Sequence, residues 1–451
     1  MQLWEQANAL NAEGKYPEAE ELYCLLLTQN PKNPGLLATL GTMYLQMNKL
    51  GLAIALLEAS LKYGTRKSDI LSNLGLAYKY AGLVDKSRSV LEESAKAPDP
   101  SAQGIANYAG LFIEAGEPDK CISLCKKALK IDPTQAMAHW NLSLVLLGEG
   151  RWAEGWDEYE WGMRGCGMRV ERKIGGKPQW DGTPGKTVAV YGEQGLGDEI
   201  LFASMLPDLL KTNKVVLECH ARLVTLFQNS FPGVTVYGTR EKDEIEWPEH
   251  EQLDYQISIG SLGKFYRRSR EAFPGSAYLK ADALPRGDKF RVGISWTGGA
   301  KAGRIQKRTV PLSWWKSILD VRDVEFVSLQ YTDCADEIAM VNGLGYDIKQ
   351  MDEFVKADDY NETARLVKSC DLVISVATSV YHLAGALGVP AWVMVPHNPP
   401  WREQRQGGIP WYRSVRVYRQ PESKPDAWIP VVERVGLDLD EMMAQRRRIA
   451  A

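Results

Sequence analysis

The first 165 residues repeat a pattern of small and large positions with a period of 34 residues. One column of the repeat holds small residues, at Ala7, Gly41, Gly75, Ala109 and Ser143. The residue three positions later is large, and a turn-type residue follows, at Gly14, Asn48, Gly82, Gly116 and Gly150. Because a small side chain on one helix lets a large side chain of its partner approach, the pattern predicts helix pairs that stack into a solenoid.

The period and these positions resemble the tetratricopeptide repeat. A further column holds asparagine, at Asn73, Asn107 and Asn141, two positions before the small residue. A primary amide both donates and accepts hydrogen bonds, which matches a peptide backbone, so these three residues are candidate acceptor-binding residues. The column resembles the asparagine ladder of O-linked N-acetylglucosamine transferases. The alternative is that each asparagine caps a helix or bridges two neighbouring helices.

The pattern changes after a segment rich in Trp, Gly and Pro at residues 151–185. Short apolar runs such as KTVAVYG, VVLECH, RVGISW, DLVISV and AWVMVP then alternate with helical segments. Continuous Val/Ile runs separated by helices predict parallel, doubly wound sheets. We therefore predict a solenoid at 1–168, a Rossmann-like lobe at 169–288, and a second Rossmann-like lobe with a C-terminal helix at 289–451.

Ligands bind at the carboxyl ends of parallel strands, and four clusters follow predicted strands. The first is a glycine-rich loop from Gly192 to Asp198, in which Asp198 is either a base or a carboxylate that stabilises a helix N-terminus. The second, 297–308, has four cations and no carboxylate next to glycines, which suits a diphosphate. Its candidate ligand-binding residues are Gly298, Gly299, Lys307 and Arg308; the alternative is a solvated basic loop.

The third cluster joins a strand to a helix. Thr378 and Ser379 would lie at the helix N-terminus, where hydroxyls and free N–H groups can bind phosphate, with His382 beside them. Plain N-capping is the alternative, and it is compatible with ligand binding. The fourth cluster, His397-Asn398 with Trp401 beyond, could hold a base or a sugar, or could pack in the core.

The net charge, the cysteines and the lengths of the apolar runs argue against several kinds of function. The formal net charge of -3 gives no overall field for holding nucleic acid. The seven cysteines include no CxxC pair, so we expect no metal site. The chain begins MQLWEQANAL, without a basic or apolar leader, and no run approaches 18 apolar residues. These features predict a cytoplasmic protein with no transmembrane segment.

The stretches GEQGLGDEILFASMLPDL, GISWTGGAKAGRIQKRTVPLSWW, CDLVISVATSVYHLAGALGVPAWVMVP and PWYRSVRVYRQ resemble the bacterial tetratricopeptide glycosyltransferases, whose α/β half is related to the heptosyltransferases of GT-B fold. The resemblance implies a metal-independent, inverting transfer from a nucleotide-sugar, without a cofactor, to an acceptor hydroxyl on a protein bound by the repeats. It implies an acceptor-side first lobe and a donor-side second lobe. Asp198 would be the catalytic base, and Lys307 or Arg308 would bind donor phosphate with Thr378, Ser379 and His382.

The chain departs from the heptosyltransferase pattern at Ala377, where that family usually has aspartate. This departure leaves two alternatives to a protein glycosyltransferase. The chain could be a catalytically silent protein-binding scaffold that retains the GT-B fold. It could also be a transferase directed to lipopolysaccharide or another polysaccharide, although helical repeats more often bind peptides.

Overall fold

The computed structural model describes residues 2–64, 67–240, 247–248, 252–298 and 308–450. Two of the candidate residues, Gly299 and Lys307, lie outside this set. The chain divides into two compact units. The first comprises Met1–Val145 with Arg164–Cys166, and the second comprises Leu146–Met163 with Gly167–Ala451.

The first unit is a helical-repeat solenoid of the tetratricopeptide type. Its helices alternate between the first and second helix of each repeat and are α1 (Gln2–Ala12), α2 (Tyr16–Gln29), α3 (Pro34–Gln46), α4 (Leu50–Tyr63), α5 (Ser68–Tyr80), α6 (Val84–Lys96), α7 (Ala102–Ala115), α8 (Pro118–Ile131) and α9 (Ala136–Gly148), of which the last three residues belong to the second unit. The turn-type column adopts positive φ at every repeat, from 57° at Asn48 to 78° at Gly116. Glycine tolerates that conformation without the steric penalty that other residues incur.

The small column allows the paired helices to approach closely. A Cβ atom added at Gly75 would lie 2.4 Å from Cγ of Leu91, and one at Gly41 would lie 2.9 Å from Cγ of Leu57. Leu57 and Leu91 are both fully buried. The predicted pairing of a small residue on one helix with a large residue on the next is therefore the contact that the structure contains.

The second unit is an α/β domain with parallel sheets. Among the described residues, the first sheet has the strand order β3-β2-β1-β4 and every paired strand is parallel. Its strands are β1 (Thr187–Tyr191), β2 (Lys214–Glu218), β3 (Thr235–Tyr237) and β4 (Tyr255–Ser258). The second sheet, also parallel, has the order β10-β9-β8-β5-β6-β7. Its strands are β5 (Phe290–Ser295), β6 (Val324–Ser328), β7 (Ile348–Lys349), β8 (Leu372–Val376), β9 (Ala391–Val395) and β10 (Val415–Arg419).

The helices of the second unit precede, connect and follow these strands. They are α10 (Trp152–Tyr159), α11 (Leu196–Ala203), α12 (Leu206–Leu209), α13 (Val224–Ser230), α14 (Gly263–Tyr266), α15 (Lys316–Leu319), α16 (Ala335–Asn342), α17 (Asp352–Val355), α18 (Tyr360–Lys368), α19 (Ser379–Leu387) and α20 (Ile429–Ala450). Helix α11 follows β1, and α19 follows β8, so both begin at strand ends. Strand β10 is an addition to the sequence prediction, which ended the second set of strands at β9.

Two apolar clusters support the strand ends in this unit. Strands β5 and β8 are buried along their whole length and lie in the core of the second sheet with Trp296 and Trp315. Aromatic rings of Trp156, Phe202 and Trp401 contact one another, with centroids 5.6–6.3 Å apart. In the part of the chain that the structure describes, no helix is long and apolar enough to cross a membrane.

Candidate functional site

The glycine-rich loop that leaves β1 ends in Asp198, in the first turn of α11. The backbone N–H of Gly195 donates to Oδ2 of Asp198 at 3.0 Å, so the carboxylate caps its own helix. Its other oxygen, Oδ1, forms an ion pair with Nη2 of Arg402, which lies just beyond β9. Asp198 therefore occupies the helix N-terminal position that was the structural alternative to a free base, and it also has a cationic partner that the sequence did not predict.

Two ion pairs, each with a buried carboxylate, stabilise this loop. Nε of Arg169 donates to Oε2 of Glu193 at 2.7 Å, and both side chains are almost wholly buried. Arg240 forms an ion pair with the buried Glu199 and also donates to the backbone carbonyl of Gln194. Gln194 has a φ of 65°, a conformation that costs energy for a residue other than glycine. Burial raises the pKa of Glu199 to about 7, although the neighbouring Arg240 acts in the opposite direction.

Helices α11 and α19 approach each other closely at Gly197. A Cβ atom added there would lie 3.2 Å from Cα of Ser379 and 3.3 Å from Cδ2 of His382. Such distances are shorter than the usual 3.5–4.0 Å between carbon atoms in contact, so glycine permits the approach. The contact joins the end of β1 in the first sheet to the end of β8 in the second.

The hydroxyl cluster at the start of α19 caps the helix. Oγ1 of Thr378 accepts a hydrogen bond from the N–H of Val380 at 3.2 Å and lies 3.2 Å from Oγ of Ser375. Oγ of Ser379 accepts from the hydroxyl of Tyr360, also at 3.2 Å. The predicted N-capping is therefore present. Ala377, immediately before the cap, is 3% exposed.

His382 lies one turn into α19 and is buried. Its Nδ1 lies 3.2 Å from the hydroxyl oxygen of Tyr412, and its ring centroid is 3.9 Å from that of Tyr381. Burial lowers the pKa of His382 well below its ordinary value, and the charges of Arg402 and Arg308 lower it further. The imidazole is therefore neutral near pH 7. It can donate one hydrogen bond and accept another without adding positive charge to the site.

The described residues of the basic cluster after β5, Gly298 and Arg308 among them, also lie beside the start of α19. A Cβ atom added at Gly298 would lie 3.3 Å from Cβ of Arg308 and 3.3 Å from Cγ2 of Thr378. Arg308 is partly exposed, and within the described residues its side chain makes no hydrogen bond or ion pair. Its guanidinium is thus available to an anion beside the start of α19. Gly299 and Lys307 lie outside the described residues.

Sequence reasoning missed two residues that build the site. The buried side chain of Gln330, at the end of β6, accepts hydrogen bonds from the N–H groups of Trp296 and Thr297, at 3.1 and 3.0 Å. It fixes the path of the chain as it leaves β5. Arg402 is the other. No spacing marks either residue, although both follow strands, as the four predicted clusters do.

The fourth cluster contributes differently. Trp401 is buried among aromatic rings, which is the packing alternative. His397 is exposed, and its Nδ1 lies 3.3 Å from the carbonyl oxygen of Gln420. No described contact links His397 to Asp198, Thr378 or Arg308. Among the described residues, Gly197 of the first cluster and Gly298 and Arg308 of the second lie close to the start of α19, which holds the third.

The asparagine column lies in the first unit, where each amide bonds to the preceding repeat. Nδ2 of Asn73 donates to Oγ1 of Thr42 at 3.0 Å, and Nδ2 of Asn107 donates to Oγ of Ser72 at 2.7 Å. Nδ2 of Asn141 donates to the carbonyl oxygen of Ala106 at 2.8 Å. The bridging alternative is therefore observed at all three positions. Asn107 and Asn141 are also buried, each 6% exposed.

No group of three or more His, Cys, Asp or Glu side chains in the described ranges is arranged to hold a metal ion. No family model matches the chain. The sequence is 28% identical to Protein FlbA of Caulobacter vibrioides over 435 residues, which cover 88% of this chain and 71% of that protein. This similarity extends through both units.

Solved structures resemble part of the chain. The crystal structure of MamA covers 35% of this chain and 92% of its own, with 20% identity and a TM-score of 0.30. The structure of TTC0263, a thermophilic TPR protein of Thermus thermophilus, covers 37% of this chain and 91% of its own, with 21% identity and a TM-score of 0.33. Likenesses of this size carry no conclusion about binding or activity.

Proposed function

We propose that this protein is a glycosyltransferase that takes a sugar from a nucleotide-sugar donor and transfers it to a hydroxyl of an acceptor protein. The α/β unit would have the GT-B arrangement, with the donor diphosphate at the start of α19. The repeats would bind the acceptor polypeptide. The family resemblance of the four sequence stretches motivates this reading, and the geometry of the strand-end cluster supports it.

The observation that carries the proposal is the convergence of three strand-end segments on one point. Gly197 and Gly298, from different sheets, both approach the residues at the start of α19, namely Ser379 and Thr378. Arg308 adds a positive charge without a carboxylate partner among the described residues. A helix N-terminus, close-lying glycines and a free guanidinium are the features with which proteins bind diphosphates.

Transfer in such a site would be a single displacement. The acceptor oxygen would form a bond to the anomeric carbon while the bond from that carbon to the diphosphate oxygen breaks. The acceptor proton would pass to Oδ1 of Asp198, and the nucleoside diphosphate would leave with the bonding electrons. Arg308 and the N–H groups of α19 would stabilise the negative charge on the leaving group.

The proposal is tested first by binding and then by turnover. Nucleoside diphosphates and the matching nucleosides are titrated into the wild type, R308A and the control R322A. The control removes an exposed arginine just before β6, at the opposite end of the parallel strands from the site. We expect R308A to weaken diphosphate binding by roughly tenfold or more, because a charge-assisted hydrogen bond contributes about 1.5–3 kcal/mol. Nucleoside binding and the control should be unaffected. Equal losses for both ligands would contradict a diphosphate site at Arg308.

A panel of nucleotide-sugars then tests for sugar transfer or donor hydrolysis. A second candidate function is the catalytically silent scaffold. The ion pair between Asp198 and Arg402 favours it, because Arg402 occupies the oxygen with which Asp198 would accept a proton. Ala377 favours it too, since alanine cannot accept a hydrogen bond. Tight binding of a partner protein, without turnover of any donor that binds, would support the scaffold and refute the transferase.

A further inference from the structure

We propose that Arg402 is a second anion-binding residue of this site, and that it exchanges its partner when the ligand binds. In the free protein Arg402 is paired with Asp198. A bound diphosphate takes over the guanidinium and leaves Oδ1 of Asp198 open to an acceptor hydroxyl. This inference rests on the proposed function for the identity of the natural ligand, but the exchange itself is a property of the residues described above.

First, both carboxylate oxygens of Asp198 already have a partner in the structure. Oδ2 accepts from the N–H of Gly195, and Oδ1 is paired with Nη2 of Arg402. The bond to Gly195 belongs to the first turn of α11 and would persist as long as that helix does. Oδ1 is thus the oxygen that could be released, and release requires a new partner for Arg402.

Second, the guanidinium of Arg402 still has a hydrogen-bond donor that is not in use. Its Nε is buried and has no hydrogen-bond partner. The guanidinium lies over the ring of Trp401, 4.9 Å from the ring centroid, and its side chain is 18% exposed. A buried N–H without a partner is costly, so a ligand oxygen that reaches it gains more than one that reaches a solvated group. A planar guanidinium whose Nε–H is still unengaged can offer that donor to a phosphate oxygen.

Third, Arg402 and Arg308 lie on either side of the start of α19. Gly298 lies against Arg308 and Thr378. Gly197, which precedes the Arg402 partner Asp198, lies against Ser379 and His382. In accord with this geometry, both positive charges lower the pKa of His382. His382 itself stays neutral and does not compete for the anion. Among the described residues, Asp198 is the carboxylate paired with Arg402, and Arg308 has none. A diphosphate carries more negative charge than one carboxylate and would draw both arginines.

The consequence for a transferase is a coupling between its two substrates. The base stays masked until the donor diphosphate is bound, so the site cannot activate a hydroxyl in the absence of donor. After transfer, departure of the nucleoside diphosphate returns Arg402 to Asp198. The reaction would then follow an ordered sequence in which the donor binds first.

The test is a double-mutant cycle read by calorimetric titration of inorganic pyrophosphate into the full-length chain. The four proteins are the wild type, D198N, R402Q and the double variant. We expect D198N to bind pyrophosphate three- to tenfold more tightly than the wild type, because asparagine does not hold Arg402. R402Q should bind more weakly than the wild type, and D198N should give no gain in the R402Q background.

The double variant separates exchange from simple charge repulsion. If D198N tightens binding equally with and without Arg402, removal of a nearby negative charge explains the gain and the exchange is wrong. If D198N binds like the wild type, or if pyrophosphate binds none of the four proteins, the inference is also overturned. R402M replaces R402Q should the glutamine variant melt at a lower temperature than the wild type, since methionine keeps an apolar stem next to Trp401 but carries no charge for Asp198 to pair with.

Turnover measurements distinguish this inference from the proposed function. Sugar transfer by the wild type, without the D198N effect on pyrophosphate, would refute the exchange and leave the transferase standing. The complete exchange pattern, with no turnover of any nucleotide-sugar, would refute the transferase and leave an anion-controlled ion pair. The two conclusions can thus fail independently.

Discussion

Replacing Gly197 with alanine should impair the site while leaving the protein folded. The added Cβ would lie 3.2 Å from the backbone Cα of Ser379, whereas carbon atoms in contact are usually 3.5–4.0 Å apart. Helices α11 and α19 must therefore separate by about 0.3–0.8 Å. Backbone cannot rotate away as a flexible side chain can, so the displacement reaches the start of α19 itself.

The two contributions to stability oppose each other. Alanine gains at most about 1 kcal/mol over glycine in a helix, and Gly197 lies in the first turn of α11, whereas overpacking costs about 1–3 kcal/mol. The loss in the free energy of unfolding should therefore lie between about zero and 3 kcal/mol. Misplacement of reacting groups by about 1 Å can cost a hundredfold in rate, so we expect turnover to fall by roughly 10- to 100-fold.

The assay combines thermal unfolding with pyrophosphate titration and, once a donor is known, steady-state kinetics. The matched control is G51A, because a Cβ atom added at Gly51, also in a helix, has no neighbour within 4 Å. G51A should be at least as stable as the wild type and bind pyrophosphate equally well. Wild-type binding and turnover by a well-folded G197A would refute the idea that close approach of the two helices builds the site.

Two further predictions concern stability. G75A should destabilise the first unit by about 1–3 kcal/mol, since the added Cβ would lie 2.4 Å from Cγ of Leu91. In the double variant, L91A should relieve part of that cost. Purely additive losses of stability would contradict the contact. Burial raises the pKa of Glu199 from 4.5 to about 7, so its stabilising contribution is complete below pH 4.5 and is lost as the pH rises through 7. Relative to E199Q, the wild type should lose about 2–3 kcal/mol between pH 5 and pH 8, seen as diverging thermal midpoints. Parallel midpoints would refute a buried proton on Glu199.

Local patterns in the sequence predicted the repeat helices and the buried strands of this fold. The 34-residue column of small residues predicted the helix pairing, because the contact between Gly75 and Leu91 lies within a single repeat. Continuous apolar runs predicted the buried parallel strands, since β5 and β8 are buried along their whole length. Strand β10 escaped prediction because its sequence, VRVYR, alternates as an exposed edge strand does and lacks the apolar run used for the others.

The sequence also determined which clusters follow strands, because glycines, hydroxyls and cations after an apolar run can be read directly. Which clusters meet was decided by the tertiary structure alone. Asp198 and Arg402 lie at the ends of β1 and β9, in different sheets, and no spacing relates them. The amide of Asn141 was equally available to a peptide or to a neighbouring helix until stacking placed the carbonyl of Ala106 2.8 Å away. The chemistry of a side chain determines which bonds it can make. Its partner depends on which distant segments the packing of the cores brings within reach.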